Sequence, residues 1–131
     1  MQKLIVTGRL GGDPEMRFFP DGKPVTTFSI ADDRKWNSNG EKHKETTWFR
    51  VQVVGGQAEA CNTYLHKGDL VAVDGRLIVD AATGASKLWT ADDGSTRTTL
   101  EIRANWVEFL HTKGGQDADQ GEPAPSEDIP F

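Results

Sequence analysis

The sequence predicts an all-β domain with one short helix, arranged as a small barrel. Apolar residues alternate with polar ones in several short segments, and turns containing glycine or proline separate these segments. Only one segment carries apolar residues at helical spacing. The chain has 131 residues, of which 36% are hydrophobic. That is enough for one domain with one modest core.

Four segments in the first half of the chain are typical of strands, because β-branched and aromatic residues occur in them between turn signals. The Pro20-Asp21-Gly22 sequence is a strong turn signal. A polar stretch that contains Asn39-Gly40 separates the third and fourth segments. The predicted strands are residues 4–10, 16–19, 25–32 and 46–54, and residues 33–45 are predicted as a hairpin loop.

The fourth predicted strand shows the clearest alternation. Phe49, Val51 and Val53 fall on one face, which we assign to the core. Trp48 and Arg50 fall on the opposite face. This strand therefore predicts which of its aromatic residues faces solvent.

The spacing changes after two consecutive glycines. Ala58, Cys61 and Leu65 follow one another at helical intervals, which predicts a helix over residues 57–67. Gly68 is in a suitable position to cap this helix at its C-terminal end.

The second half of the chain returns to strands. Residues 69–77 and 98–110 are predicted strands, and Trp106 is assigned to the core. Residues 78–97, which contain Thr83-Gly84 and Asp93-Gly94, are predicted as an extended hairpin loop between them. About five strands with a single helix between the third and fourth is the arrangement of an OB-fold, a partly open five-stranded barrel. We predict this fold for residues 1–111, and the alternative is an unspecified small β-domain.

Most of the acidity lies in a C-terminal tail. Residues 1–111 have a net charge of −1, whereas residues 112–131 have a net charge of −4. Residues 114–126 contain no aromatic or β-branched side chain, so they cannot bury enough apolar surface to offset the entropy of ordering. We predict a disordered linker over residues 112–126.

Several classes of protein find no support in the sequence. No apolar stretch is long enough for a transmembrane helix, and the N-terminus lacks the apolar region of a signal peptide. A single cysteine and three scattered histidines predict neither a disulfide nor a zinc site, so we expect no metal or cofactor and a reducing, cytoplasmic location. Motifs for nucleophilic, phosphate-binding or metal-dependent catalysis are missing, so we expect no enzymatic activity.

Three tryptophans occur in settings that predict exposure, each close to a cation: Trp36, Trp48 and Trp89. Aromatic rings interleaved with lysine and arginine suit single-stranded nucleic acid, because a ring stacks on an unpaired base while a cation meets a phosphate. The alternative is that these rings pack under loops or at a subunit interface. The cations that are candidates for one groove are Arg34, Lys35, Arg50, Arg76 and Lys87.

The C-terminal tip, residues 127–131, gives a second functional signal. Two acids precede Ile129, Pro130 and Phe131, and the linker holds them away from the body of the domain. A partner protein could bury Phe131 in a pocket and pair a basic residue with Asp128 or with the terminal carboxylate. The alternative is a solvating tail with an accidental ending.

The chain resembles the bacterial-type single-stranded DNA-binding proteins over nearly its whole length. Residues 3–18, KLIVTGRLGGDPEMRF, are similar to the family's opening pattern NKVILVGNLGxDPExRY. Residues 48–51, WFRV, resemble its WxRV strand, and residues 64–68, YLHKG, resemble its YLxKG helix exit. The ending Asp128-Ile129-Pro130-Phe131 matches the family's acidic DDxPF terminus, with Glu127 in place of the first aspartate.

This resemblance implies an OB-fold protein that assembles as a homotetramer and coats single-stranded DNA without sequence preference. It implies base stacking by Trp36, Trp48 and Trp89, and either stacking or packing by Phe18. It also implies that the tip recruits replication and repair proteins, and that the protein lies in the cytoplasm with the nucleoid. Val54 stands where well-known members carry a stacking phenylalanine, so one stacking position is missing here.

Other functions remain open from the residues alone. One is an OB-fold accessory protein of replication restart or recombination. Another is an OB module that binds protein or oligosaccharide, with the tryptophans as sugar platforms. A small hydrolase is the last, although the sequence contains no nucleophile–base motif.

Overall fold

The computed structural model describes residues 1–112, which form eight strands and one helix. The linker and tip predicted beyond His111 lie outside these residues, apart from Thr112. Within the described part of the chain no helix is long and apolar enough to cross a membrane. The elements are β1 (Leu4–Leu10), β2 (Glu15–Phe18), β3 (Pro24–Ser38), β4 (Glu41–Val54), α1 (Gly56–Tyr64), β5 (Leu70–Ile78), β6 (Leu88–Thr90), β7 (Thr96–Thr98) and β8 (Leu100–His111).

Five of the strands close into a barrel. They follow one another in the order β1-β5-β8-β4-β3, and β3 pairs with β1 through Arg9↔Ala31 and Leu10↔Ile30 to complete the circuit. Only β4 and β8 run parallel among these neighbours, and β2 adds to the edge at the start of β3. Since α1 joins the third and fourth barrel strands, the structure confirms the predicted OB-fold.

The barrel is filled by aliphatic side chains from every barrel strand. Val51 and Val53 are buried and Phe49 packs against the core, which confirms the predicted faces of this strand. The helix covers one end of the barrel. Its predicted apolar residues are all buried, and the Thr26 hydroxyl donates a hydrogen bond to the Ala58 carbonyl at 2.6 Å. The largest fully buried aliphatic side chains are Ile30, Val51, Leu65, Val71, Val73, Ile102 and Val107.

The helix is shorter at its C-terminal end than predicted. It ends at Tyr64, and Leu65 is already extended. Gly68 does not cap the helix but lies in the following turn with a φ of 91°, where its N–H donates to the Leu10 carbonyl at 2.9 Å. The Asp69 carboxylate accepts a hydrogen bond from the His66 N–H, and this bond stabilises the turn.

The predicted loop over residues 33–45 is wrong, although a hairpin is present there. Strands β3 and β4 stay paired in unbroken register from Val25↔Val54 to Ser38↔Glu41. Only Asn39 and Gly40 form the turn, with φ values of 53° and 79°, as a tight hairpin connection requires. Residues 32–47, here called the distal arm, carry polar side chains on both faces because they project beyond the barrel. The sequence of the arm therefore lacks the alternation of apolar and polar residues that would predict a strand.

Two further predictions concern the second half of the chain. The extended hairpin loop predicted over residues 78–97 contains short paired strands, because β6 pairs with β7. Trp106 is half exposed rather than buried. Asn105 is an extra residue in β8, because Asp74 pairs with Trp106 while Gly75 pairs with Ala104. This bulge reverses the inward and outward alternation, so Val107 enters the core and Trp106 faces outward.

Candidate nucleic-acid interface

Trp48 forms one wall of a shallow groove of about 400 Å³ on the outer surface of the barrel. Strand β4 directs this side chain outward, as alternation predicts, and 54% of the residue is exposed. Its ring lies against Gly11, where a β-carbon would come within 2.6 Å of the indole. A large exposed ring held in this way offers a stacking surface for an unpaired base. The groove is lined by Gly11, Gly12, Asp13, Glu15, Thr27, Phe28, Ser29, Trp48 and Arg50.

The two acids of this groove differ in their contacts. Asp13 accepts a hydrogen bond from the Lys67 backbone N–H at 2.9 Å, which ties the β1–β2 connection to the turn after the helix. Glu15 forms an exposed ion pair with Arg17 at 3.7 Å. Asp13 therefore has a structural contact, whereas the exposed pair of Glu15 contributes little to stability.

Arg50 and Lys87 come together through one carboxylate. Arg50 Nε lies 3.7 Å from Glu101 Oε2, and Lys87 Nζ lies 3.8 Å from Glu101 Oε1. The parallel pairing of β4 with β8 places Glu101 directly beside Arg50. Two of the predicted cations therefore share an acid whose side chain is only 23% exposed.

The distal arm of the β3–β4 hairpin carries a second group of candidates. Trp36 stacks on His43, its cross-strand neighbour, with ring centroids 5.3 Å apart and an interplanar angle of 19°. The Arg34 guanidinium lies 4.7 Å from the centre of the same indole, and Arg34 also pairs with Glu45 at 3.6 Å. Trp36 is therefore already covered in part by its neighbours, and 39% of it is exposed.

Trp36 and Trp48 do not share a face of the hairpin. The register pairs Trp48 with Ala31, which is five residues from Trp36 along β3. Because side chains alternate between faces, an odd separation places the two rings on opposite faces. Lys35 lies on the Trp48 face, opposite Lys44, and Arg34 lies on the Trp36 face.

Trp89 lies on the β6–β7 hairpin. It is 47% exposed, and its Nε1 donates a hydrogen bond to Thr99 Oγ1 at 2.9 Å, which restrains the indole. Its cross-strand neighbour Arg97 pairs with Asp93 at 3.2 Å. The pKa of Asp93 is lowered by hydrogen bonds from the side chain and the backbone N–H of Ser95. This hairpin therefore combines a restrained ring with a cation that is paired to an ionised acid.

The remaining predicted cation is Arg76, which does not line the groove beside Trp48. It is exposed on β5 and faces Arg103 across the β5–β8 pairing. The sequence interpretation missed Arg103, although alternation could have found it, since Arg103 follows the buried Ile102 in a predicted strand. Phe18 is 62% exposed on β2, so the structure leaves it accessible.

Two features of the described residues concern metal binding and thiol reactivity. No group of three or more histidine, cysteine or acidic side chains among residues 1–112 could hold a metal ion. Cys61 is buried, and the loss of solvation raises its pKa to about 12. A neutral buried thiol is a poor nucleophile.

Comparisons with known sequences agree with the family resemblance of the sequence motifs. Residues 1–110 match the model of the Single-strand binding protein family. A single-stranded DNA-binding protein of Neisseria meningitidis serogroup A is 36% identical over 122 residues, which are 92% of this chain but 64% of that relative. The chain therefore spans less than two thirds of that relative's length. A single-stranded DNA-binding protein of Thermotoga maritima is 38% identical over 131 residues, with coverage of 97% of this chain and 88% of the relative.

Solved structures share the fold. A Plasmodium falciparum SSB in complex with ssDNA superposes with a TM-score of 0.66 at 26% identity, covering 84% of this chain and 95% of that one. A small single-stranded DNA-binding protein from Streptomyces coelicolor superposes with a TM-score of 0.68 at 22% identity, covering 82% and 93%. The second likeness shows the fold alone.

Proposed function

The chain belongs to the single-strand binding protein family, and from this premise we propose that it binds single-stranded DNA without sequence preference. The observation that carries the proposal is the exposed Trp48 ring beside the groove, with Arg50 two residues along the same face. Stacking on such a ring contributes about 1–3 kcal/mol per base and tolerates any base. The protein acts as a non-enzymatic coat for exposed strands in replication, recombination and repair.

The proposed binding residues fall into separate groups along the surface. Trp48 and Arg50 form the central group, and Lys87 is tied to Arg50 through Glu101. Trp36 lies on the β3–β4 hairpin, before Trp48 in the sequence, and Trp89 lies on the β6–β7 hairpin, after it. A strand that used all of them would have to pass around the β3–β4 arm, since Trp36 and Trp48 lie on its opposite faces. The full set proposed for DNA is Phe18, Arg34, Lys35, Trp36, Trp48, Arg50, Arg76, Lys87 and Trp89.

The test is tryptophan fluorescence during titration with oligo-dT at low and high salt. We expect strong quenching that saturates at a fixed ratio of nucleotide to protein, with affinity that falls as salt rises. The control is Trp48→Phe, which should lose part of the quenching while remaining folded. Absence of quenching by a folded wild-type protein at low salt would overturn the proposal.

We further propose that the tip, residues 127–131, recruits partner proteins, with the acidic linker joining it to the DNA-binding domain of residues 1–111. The support is the sequence alone: two acids precede Ile129, Pro130 and Phe131. Deletion of Phe131 should abolish partner recruitment and leave DNA binding intact. Recruitment that survives this deletion would contradict the role of the tip.

The acidic tail carries a second proposal, that it competes with DNA for the basic surface. Residues 112–131 hold most of the chain's net negative charge. Deletion of residues 114–131 should therefore tighten DNA binding at low salt, where charge interactions are least screened. An unchanged affinity would reject this competition.

Homotetramer formation is the remaining part of the proposal. Ile5 and Trp106 both neighbour Asp74 across adjacent strands, and both are more than half exposed on the outer face. Asp74 Oδ1 is buried and accepts no hydrogen bond from residues 1–112, although its Oδ2 pairs with Lys3 at 3.1 Å. A second copy packed on this face would bury the apolar side chains and could supply a donor.

Light scattering of Trp106→Glu tests this interface. We expect a smaller assembly than for the wild-type protein, because a carboxylate buried between copies is costly. A wild-type protein that is monomeric at all concentrations would contradict the assembly. We place the protein in the cytoplasm with the nucleoid, where its proposed ligand occurs.

A further inference from the structure

Two arginines lie directly opposite each other on the outer surface of the barrel. Arg76 on β5 pairs in register with Arg103 on β8. Their neighbours Leu77 and Ile102 form the next pair, and Ile102 is fully buried, so the two arginines face outward. Side chains in such pairs have Cβ atoms about 4.5–5.5 Å apart, and like charges in this arrangement destabilise a sheet.

No acid within residues 1–112 forms an ion pair with either arginine. The ion pairs of the described chain include neither Arg76 nor Arg103, whereas Arg50, one strand away, pairs with Glu101. Two cations on adjacent strands, neither of them held in an ion pair, form a binding position for an anion with several oxygen acceptors.

Gln52 prepares one of the two guanidinium groups. Arg103 Nε donates a hydrogen bond to Gln52 Oε1 at 2.8 Å, and both residues are partly buried. This bond fixes one edge of the guanidinium and leaves its two Nη nitrogens as donors. Because the group is oriented in advance, it loses less side-chain entropy when it binds a phosphate.

The arginine pair continues the proposed DNA surface in a definite direction. Trp48, Arg50 and Gln52 follow one another on one face of β4, and Gln52 pairs with Arg103 across the parallel β4–β8 contact. Neighbouring strands are about 4.8 Å apart, so the row from Gln52 to Arg76 spans roughly 10 Å of the outer surface.

From this geometry we infer that Arg76 and Arg103 together bind one phosphodiester group of the single strand, beyond the nucleotide that stacks on Trp48. It rests on the proposed function, to which it adds a phosphate-binding position and the residue Arg103. Arg103 binds the phosphate through its Nη donors, and Gln52 orients the Arg103 guanidinium. Arg76 supplies the second cation. The phosphate relieves the repulsion that the unliganded pair carries.

The salt dependence of oligo-dT binding tests the inference. We expect the double variant Arg76→Gln/Arg103→Gln to reduce the log–log salt slope by about 0.7, which corresponds to one phosphate contact on a single strand. Each single variant should already cause most of that reduction, because both cations serve one phosphate. Gln52→Ala should weaken binding in the wild-type background and have no effect in the Arg103→Gln background.

Arg17→Gln is the matched control, since Arg17 is exposed on β2 and already pairs with Glu15. It should leave the slope at the wild-type value. Thermal unfolding of every variant establishes that it is folded, and loss of the repulsion should leave the double variant at least as stable as the wild-type protein.

Two outcomes would overturn the inference while the proposed function stands. One is a double variant with the wild-type slope in a protein whose tryptophans are quenched by oligo-dT. The other is a double variant that changes the size of the assembly without changing the slope, which would place the arginines at a subunit contact. A wild-type protein that shows no quenching would instead contradict the proposed function itself.

Discussion

The indole of Trp48 lies directly against Gly11, so that a β-carbon at position 11 would be 2.6 Å from its Cζ3 atom and 2.8 Å from its Cη2 atom. The two residues are far apart in the sequence, and the closure of the barrel brings β1 and β4 to either side of the groove. Only glycine at this position lets the ring keep its place. The stacking surface therefore depends on the β1–β2 connection as well as on its own strand.

Gly11→Ala should weaken binding of single-stranded DNA with little effect on stability. The added methyl group displaces the far end of an exposed side chain, which can move, so the barrel remains folded while the stacking surface is lost. We expect a loss of about 1–3 kcal/mol in binding to oligo-dT, measured by fluorescence titration. Gly12→Ala is the matched control, because a β-carbon at position 12 would have no neighbouring atom within 4 Å in the described chain. Equal effects of the two substitutions would contradict the role of the contact.

Glu101→Gln should tighten DNA binding at low salt. The carboxylate holds both Arg50 and Lys87, and its removal frees two cations and removes a charge that repels phosphate. A partly exposed ion pair contributes up to about 1 kcal/mol, so we expect roughly a fivefold gain in affinity. Glu59→Gln makes the same change in net charge at an exposed position on the helix without an ion pair in the described chain. A similar gain in both variants would show a general charge effect.

Trp48 should contribute more to DNA binding than Trp36. The ring of Trp36 already contacts His43 and Arg34, which leaves less of it free for a base, whereas Trp48 is more exposed beside an open groove. Trp48→Ala should cost about 1–3 kcal/mol, or roughly 5- to 150-fold in affinity, and Trp36→Ala should cost less. Titration of both variants with the same oligo-dT measures the difference. The reverse order would mean that DNA binding rearranges the distal arm.

The free energy of unfolding should fall as the pH rises above 9. Burial raises the pKa of the Cys61 thiol from 9.0 to about 12, so the folded protein keeps the proton while the unfolded chain releases it. Stabilisation from this group is complete below pH 9 and declines between pH 9 and 12. Urea unfolding of the wild-type protein and of Cys61→Ala at several pH values isolates this contribution. Identical pH dependence in the two proteins would show that the thiol is not protected.

The faces of the central strands could be predicted from the sequence, but the contacts between distant strands could not. Period-two alternation correctly directed Trp48 outward and Val51 inward, because this strand lies within the barrel wall. The same alternation failed at Trp106, because the extra residue Asn105 reverses the inward and outward faces of β8. The order of polar and apolar residues around Asn105 does not reveal this bulge. The bridge from Arg50 to Glu101 depends on the parallel β4–β8 pairing, which joins residues about fifty positions apart.

The length of the β3–β4 hairpin could not be predicted from the sequence, for a related reason. An arm with polar side chains on both faces has the composition of a loop, and only its unbroken register of cross-strand pairs shows it to be a ribbon. The turn of this hairpin was nevertheless predictable, because Asn39-Gly40 favours the positive φ values that a two-residue turn requires.

Beyond the barrel, that ribbon has no neighbouring strand on either side among residues 1–112. The pairing of β3 with β1 ends at Ala31, and the pairing of β4 with β8 begins at Phe49. Both outer edges of the arm therefore present backbone donors and acceptors without a strand partner in this part of the chain, which in an apolar ribbon would invite strand addition and aggregation. Here the edges carry charges of both signs, namely Asp32, Asp33, Arg34, Lys35, Glu41, Lys42, Lys44 and Glu45. The composition that makes the arm resemble a loop thus also protects it from polymerising with its own copies.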